Sequence, residues 1–133
     1  MALTQEERRI AEGSTPIYRA TLQDEDGTAI PLADIDSMTL TLKDVRTGQA
    51  INSRSAQDVL NTNGVTIHAT SGLLTWQMEE EDTPIIGSAH PKPNQVEQHK
   101  AIFRWTYDTD RHGVHVVLLD VVQIDDEVLE EDP

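Results

Sequence analysis

Residues 101–108 read AIFRWTYD and residues 114–124 read VHVVLLDVVQI, and these two segments decide the fold. The first alternates apolar and polar side chains, which is the period-two pattern of a strand that is buried on one face. The second is rich in β-branched residues and is apolar on both faces. Together they predict two long strands joined by a short polar connection over residues 109–113. The apolar members of the first alternation are Ala101, Phe103, Trp105 and Tyr107.

The same alternation recurs upstream with turn signals roughly every ten residues. Two further strands are predicted over residues 15–23 and 37–45, and a hairpin over residues 65–69 and 73–78. The connection over residues 83–98 contains three prolines and a glycine, so it predicts a loop. Many short strands with almost no helix indicate an all-β fold, an antiparallel β-sandwich of about seven strands.

The N-terminal residues show a helix-start pattern rather than a strand pattern. Thr4 and Glu7 match a capping box, and Gly13 is placed as a helix end would require. A helix this short is unstable alone. We therefore expect residues 1–14 to form a short helical arm that becomes ordered against a neighbouring subunit; a disordered leader is the alternative. The expected organisation is an arm over residues 1–14, a sandwich over residues 15–125 and an acidic tail over residues 126–133.

Composition limits the classes of function. The 133-residue chain has a formal net charge of −14, which opposes non-specific binding to nucleic acid and to acidic membranes. Simple solubility is the plainer explanation of that charge. The absence of cysteine excludes a disulfide framework and a thiolate metal site. Residues 1–11 resemble neither a signal peptide nor a membrane span, so we expect a protein that is soluble where it is made.

Strand order and turn placement carry a family resemblance. The segments that carry it are residues 18–22, 24–27, 30–32, 38–42, 72–76, 82–83, 101–105 and 121–124. Over residues 15–125 the chain resembles the Ig-like domain at the N-terminus of phage baseplate upper proteins and of related small virion proteins. The resemblance implies an Ig-like sandwich that acts as a structural protein of the virion, made in the host cytoplasm. Its partners would be capsid, neck or tail subunits, or further copies of itself.

No pattern in the sequence predicts catalysis. The serines lack a nucleophile-elbow context, and no glycine-rich phosphate loop follows a strand. We therefore expect no enzyme activity and no cofactor.

Two metal-site hypotheses arise from turns. An acidic turn that starts at Asp24 resembles a calcium loop, but its twelfth position is Ile35 rather than a carboxylate. His112 and His115 are close in sequence, and Asp108 or Asp110 could join them around a metal ion. Alternatively, these histidines are simply polar residues of a turn, or they sense mild acid at an interface.

The parity of the last strand predicts an association surface. If Val117, Leu119 and Val121 face the core, an apolar row faces the other way. Such a row usually marks an association surface. We expect another subunit, another virion protein or the chain's own terminal arm to cover it. The predicted interface residues are Val114, Val116, Leu118, Val122 and Ile124 on the strand, with Arg8 and Ile10 on the arm.

An alternative function is that of a free-standing recognition module for a carbohydrate or a cell-surface ligand. Such a module needs an exposed aromatic platform. Phe103, Trp105, Tyr107 and Trp76 all lie at positions predicted to face inward, which favours assembly over sugar binding.

Overall fold

The chain folds into two β-sheets that pack face to face. The structure is a computed structural model that describes residues 2–24, 26–87 and 95–123. The described part contains eight strands and two short 3-10 helices, Leu32–Asp34 and Glu80–Asp82. The strands are β1 (Ala2–Ala11), β2 (Ile17–Thr21), β3 (Ile35–Asp44), β4 (Gln57–Asp58), β5 (Val65–Ile67), β6 (Leu73–Gln77), β7 (Val96–Tyr107) and β8 (Arg111–Val122). The larger sheet has the order β1-β8-β7-β3-β4 and the smaller has the order β2-β6-β5, so the predicted all-β sandwich is confirmed.

The β7–β8 hairpin forms the middle of the larger sheet. Its antiparallel register runs without interruption from the pair Val96–Val122 to the pair Tyr107–Arg111. The inward side chains of β8 include Val117, Leu119 and Val121, all fully buried. The predicted parity of β8 is therefore confirmed.

β8 begins three residues earlier than the sequence predicted, and Gly113 explains the difference. A Cβ atom at this position would lie 2.4 Å from the Trp105 indole. Glycine therefore lets the indole pack across the strand while the ladder continues to Arg111. Because the turn is correspondingly shorter, the predicted connection over residues 109–113 is corrected to residues 108–110.

The core is built from the facing sides of the two sheets around the aromatic residues. Trp76 of β6 and Phe103 of β7 meet edge to face with ring centroids 5.5 Å apart. No aromatic side chain of the protein is more than 4% exposed. The five are Tyr18, Trp76, Phe103, Trp105 and Tyr107.

The N-terminal arm is a strand, so the predicted helix is wrong. Ala2–Ala11 pairs in parallel with β8 over its whole length, from the pair Ala2–Gly113 to the pair Ala11–Val122. A two-turn helix would satisfy few backbone groups, whereas β8 would otherwise present an unpaired edge along its full length. The expectation that the arm needs a neighbouring subunit is also wrong, because β8 of the same chain supplies the ladder.

The C-terminal end of the proline-rich connection also differs from expectation. β7 starts at Val96, so three residues of the predicted loop belong to the larger sheet. Residues 88–94 and the acidic tail, residues 126–133, lie outside the described residues.

Arg54 and Asp82 form a buried ion pair. Arg54 is 2% exposed and Asp82 is 0% exposed, and two hydrogen bonds of 2.6 and 3.1 Å join the guanidinium to the carboxylate. Arg54 also donates to Gln57 and lies over the Trp76 ring, 5.8 Å from its centroid. The pair thus connects the 3-10 helix that contains Asp82 to the aromatic core.

We expect Asp82→Asn to lower the free energy of unfolding by about 3–5 kcal/mol, because it leaves the buried Arg54 charge with only the exposed Glu79 carboxylate, 3.7 Å away. Urea denaturation measures this difference. Glu81→Gln is the matched control, since Glu81 precedes Asp82 on the same 3-10 helix but is exposed. Its effect should stay within about 0.5 kcal/mol. Equal effects of the two substitutions would contradict the role given to the ion pair.

Candidate interaction surface

The face of the larger sheet that points away from the core carries the apolar row predicted from the sequence. Val116, Leu118 and Val122 of β8 are half-buried there, while Val114 is 8% exposed. Ile124 lies outside the described residues. On this face, the structure thus brings together four of the five predicted strand residues.

Strand β7 widens the row into a patch. Ile102 is the register partner of Val116, and Val96 is the partner of Val122. Val96 is 46% exposed, one of the most exposed large apolar side chains among the described residues. The outer patch is defined here as Val96, Ile102, Val116, Leu118 and Val122.

Polar side chains lie between and beside the residues of the outer patch. Lys100 is the partner of Leu118, and Gln98 donates a 3.0 Å hydrogen bond to the Asp120 carboxylate. On the other side, Glu7 and Arg9 of β1 pair with Leu118 and Asp120. The pair Gln98–Asp120 lies between the pair Val96–Val122 and the other three residues of the patch, so apolar and polar side chains are mixed on this face. The N-terminal arm does not cover the patch, because β1 lies beside β8 in the plane of the sheet.

Arg8 and Ile10, the two predicted interface residues of the arm, point to the inner side of β1. Ile10 is the partner of Val121 and packs against the core. Arg8 lies over the Tyr18 ring, 5.2 Å from its centroid, and forms a 2.7 Å ion pair with Glu6. In this structure, both side chains attach the arm to its own sandwich.

A buried histidine lies beneath the arm, and sequence reasoning missed its role. His115 stacks on Tyr18 with ring centroids 5.7 Å apart, and the Tyr18 hydroxyl and His115 Nε2 are hydrogen-bonded. Burial lowers the pKa of His115; Glu6 opposes this shift and Arg8 adds to it. Burial also raises the pKa of Tyr18, and the Glu6 carboxylate raises it further. The sequence does contain a signal for this burial: His115 is two residues before the inward-facing Val117, so both side chains lie on the inner face of β8.

The metal site considered as a hypothesis at the β7–β8 turn is not formed among the described residues. His112 and His115 are three positions apart on one strand, so their side chains lie on opposite faces. His112 is exposed, as are Asp108 and Asp110, whereas His115 is 3% exposed in the core. These residues therefore do not converge on one point.

We expect the free energy of unfolding to fall below about pH 6.5. Burial disfavours the protonated form of His115 in the folded chain, whereas unfolding exposes the imidazole and lets it take up a proton. Its pKa is lower in the folded than in the unfolded chain, so the unfolded chain binds more protons in this window. Urea denaturation between about pH 7 and about pH 5.5 measures the slope.

His115→Asn should flatten that slope, and the exposed control His112→Asn should leave it as in the wild type. Amide exchange over residues 6–11 would report whether the arm loosens first. A slope that survives His115→Asn would contradict the assignment.

Comparisons with known proteins leave the chain without a family. No family model and no curated protein matches it. Among solved structures, a Photobacterium 2,6-sialyltransferase, crystallised with CMP and lactose, is similar with a TM-score of 0.44 and 10% identity. This likeness covers 92% of the present chain and 18% of the other. The N-terminal Ig1-2 module of the Drosophila receptor protein tyrosine phosphatase DLAR gives a TM-score of 0.39 and 7% identity, over 90% and 46% of the two chains.

The chain thus spans less than half the length of either structure.

In the part of the chain that the structure describes, no helix is both long enough and apolar enough to span a membrane.

Proposed function

We propose that this protein is a non-enzymatic structural protein of a bacteriophage virion. It is an Ig-like module, present in repeated copies, that binds a capsid, neck or tail subunit through the outer patch. The observation that carries the proposal is the patch itself, five apolar side chains on the outer face of two neighbouring strands, with Val96 46% exposed. Apolar surface of this kind on a soluble domain usually marks an association site.

The topology supports the Ig-like part of the proposal. The order β1-β8-β7-β3-β4 corresponds to the sheet that contains strands G, F and C of Ig domains, extended on the C side. The order β2-β6-β5 corresponds to strands B, E and D of the opposing sheet. In this correspondence β7 and β8 are the F and G strands, so the outer patch lies on the G–F face.

Charge indicates which kind of partner fits. A net charge of −14 opposes direct contact between two copies of the chain. We therefore assign the outer patch to a different virion subunit, one whose rim is less acidic or is basic. Lys100 and Asp120, which lie between the apolar residues of the patch, would set the register of that contact more than its strength.

The alternative, a module that binds a carbohydrate or a cell-surface ligand, gains no support from the aromatic side chains. All five are at most 4% exposed, and each one packs in the core. None is available to stack on a sugar ring.

We expect the double change Val116→Lys and Leu118→Lys to leave the isolated domain folded and to abolish its incorporation into particles, because both side chains point away from the core. The thermal midpoint of the purified protein measures folding. Immunodetection in purified particles, grown from a phage genome that carries the change, measures incorporation.

Two controls bracket this experiment. Ile17→Lys changes a 48% exposed apolar residue of the smaller sheet, and both folding and incorporation should survive it. Val117→Lys places a charge in the core and should prevent folding. Normal incorporation of the double variant would refute the assignment of the patch, and unfolding of the double variant would place its residues in the core.

A further inference from the structure

A cluster of three ionisable side chains lies at the end of the core farthest from the β7–β8 turn. Asp44, the last residue of β3, is the register partner of His99 on β7. Glu97 is two residues before His99 and therefore lies on the same face. Asp44 is 1% exposed and His99 is 0% exposed, while Glu97 is half-buried. One ligand atom from each of the three lies within 4.8 Å of the other two.

Two buried atoms of this cluster have no hydrogen-bond partner among the described residues. They are Asp44 Oδ1 and His99 Nδ1. Buried polar atoms are normally paired, and an unpaired buried carboxylate oxygen is costly. Burial raises the pKa of the Asp44 carboxyl, but hydrogen bonds from Thr47 and the nearby His99 outweigh that effect and lower it. The fold thus places an unpaired carboxylate oxygen and an unpaired imidazole nitrogen in one buried cluster.

The remaining oxygens of the cluster are fixed by the chain around them. Asp44 Oδ2 accepts hydrogen bonds from the backbone N–H and the hydroxyl of Thr47, at 3.1 and 2.7 Å. Glu97 accepts from the backbone N–H groups of Ile86 and Gly87, at 2.9 and 2.6 Å. His99 Nε2 and Glu97 Oε1 are 2.5 Å apart. Donors that hold carboxylates in place in this way are typical of the surroundings of metal ligands.

The cluster is also accessible from outside. A cavity of about 400 Å³ borders it, lined among others by Asp44, Gly87 and Glu97. This space admits an ion and leaves room for a water ligand on the open side. Arg46 lines the same cavity, with Nη2 3.0 Å from the position that a Gly87 Cβ would take. It is the cation that would compete with a bound metal ion.

We propose that Asp44, Glu97 and His99 form a binding site for a divalent transition-metal ion of the zinc class. The ligands are one imidazole nitrogen and two carboxylate oxygens, with a water molecule from the cavity in the fourth position. Zn²⁺ accepts this mixed set, whereas Ca²⁺ and Mg²⁺ prefer oxygen ligands alone. Ligands about 2.1 Å from a tetrahedral ion lie roughly 3.4 Å from one another. The present ligand atoms lie within 4.8 Å of one another, so a bound ion would draw them together by up to about 1.4 Å.

The three ligand side chains face the sandwich interior and not the outer patch, although Val96 of the patch also lines the bordering cavity. Its ligands join β3 and β7, and the partners of Glu97 belong to the segment that follows the second 3-10 helix. A bound ion would therefore tie this segment to the larger sheet. Among the described residues, these three form the only group of histidine, aspartate and glutamate side chains with such spacing.

The test uses the whole chain, freed of metal with a chelator and titrated with Zn²⁺ in a calorimeter. We expect a single Zn²⁺ per chain and a rise in the thermal midpoint on binding. Asp44→Asn and Glu97→Gln keep the hydrogen-bond acceptors and the shape, and each should weaken binding by roughly tenfold or more. The double control His68→Ala and His112→Ala removes two exposed histidines and should bind as the wild type does.

A readout on the wild-type protein guards against variants that fail to fold. The imidazole resonances of His99 should shift when Zn²⁺ is added, and those of His68 and His112 should not. Absence of Zn²⁺ binding by the wild type would overturn the proposal and leave Arg46 as the charge that balances the cluster. Binding that is unchanged in both folded variants, or that shifts only the exposed histidines, would overturn it as well.

Discussion

The unbroken register between β7 and β8 is the constraint on which the rest of the structure depends. It holds over twelve pairs, so the face on which each side chain lies is fixed by its partner across the ladder. A slip of β8 by one residue relative to β7 would turn Leu119 to water and would turn Val116 and Leu118 to the core. Gly113 opposes such a slip, because Trp105 packs where any other residue would place its Cβ. The close contact of one glycine with one indole therefore helps to determine which face of the sheet can associate.

This register also determines the chemistry at both ends of the hairpin. Near the turn it places His115 on the inner face, beside Tyr18 and under the arm. At the other end it places Glu97 and His99 inward, where β3 ends at Asp44. Both histidines are buried, but only His99 has two carboxylates within reach. The same strand pair thus supplies a histidine whose protonation opposes folding and another that is suited to hold a metal ion.

The sequence predicted those parts of the fold in which the signal is local. Alternation along β3, β7 and β8 was sufficient to assign the strands and their inner faces, because period two needs no knowledge of the partner strand. The arm was assigned incorrectly because a capping box is visible in four residues, whereas the partner of β1 lies more than a hundred residues away. For the same reason, the sequence did not indicate the cluster of Asp44, Glu97 and His99. Glu97 and His99 share a face by spacing, but Asp44 joins them only through the β3–β7 register.

The arm makes the edge of the larger sheet a poor site for association with another chain. Without β1, the whole of β8 would be an open edge, and open edges invite pairing with other chains. β1 takes up that edge and replaces it with a strand that carries Glu6, Glu7, Arg8 and Arg9 in succession, and a charged edge discourages further pairing. At the opposite edge β4 has only two residues, too few to serve as a template. With both edges blunted, the outer patch on β7 and β8 is the apolar surface of the larger sheet that remains open to a partner.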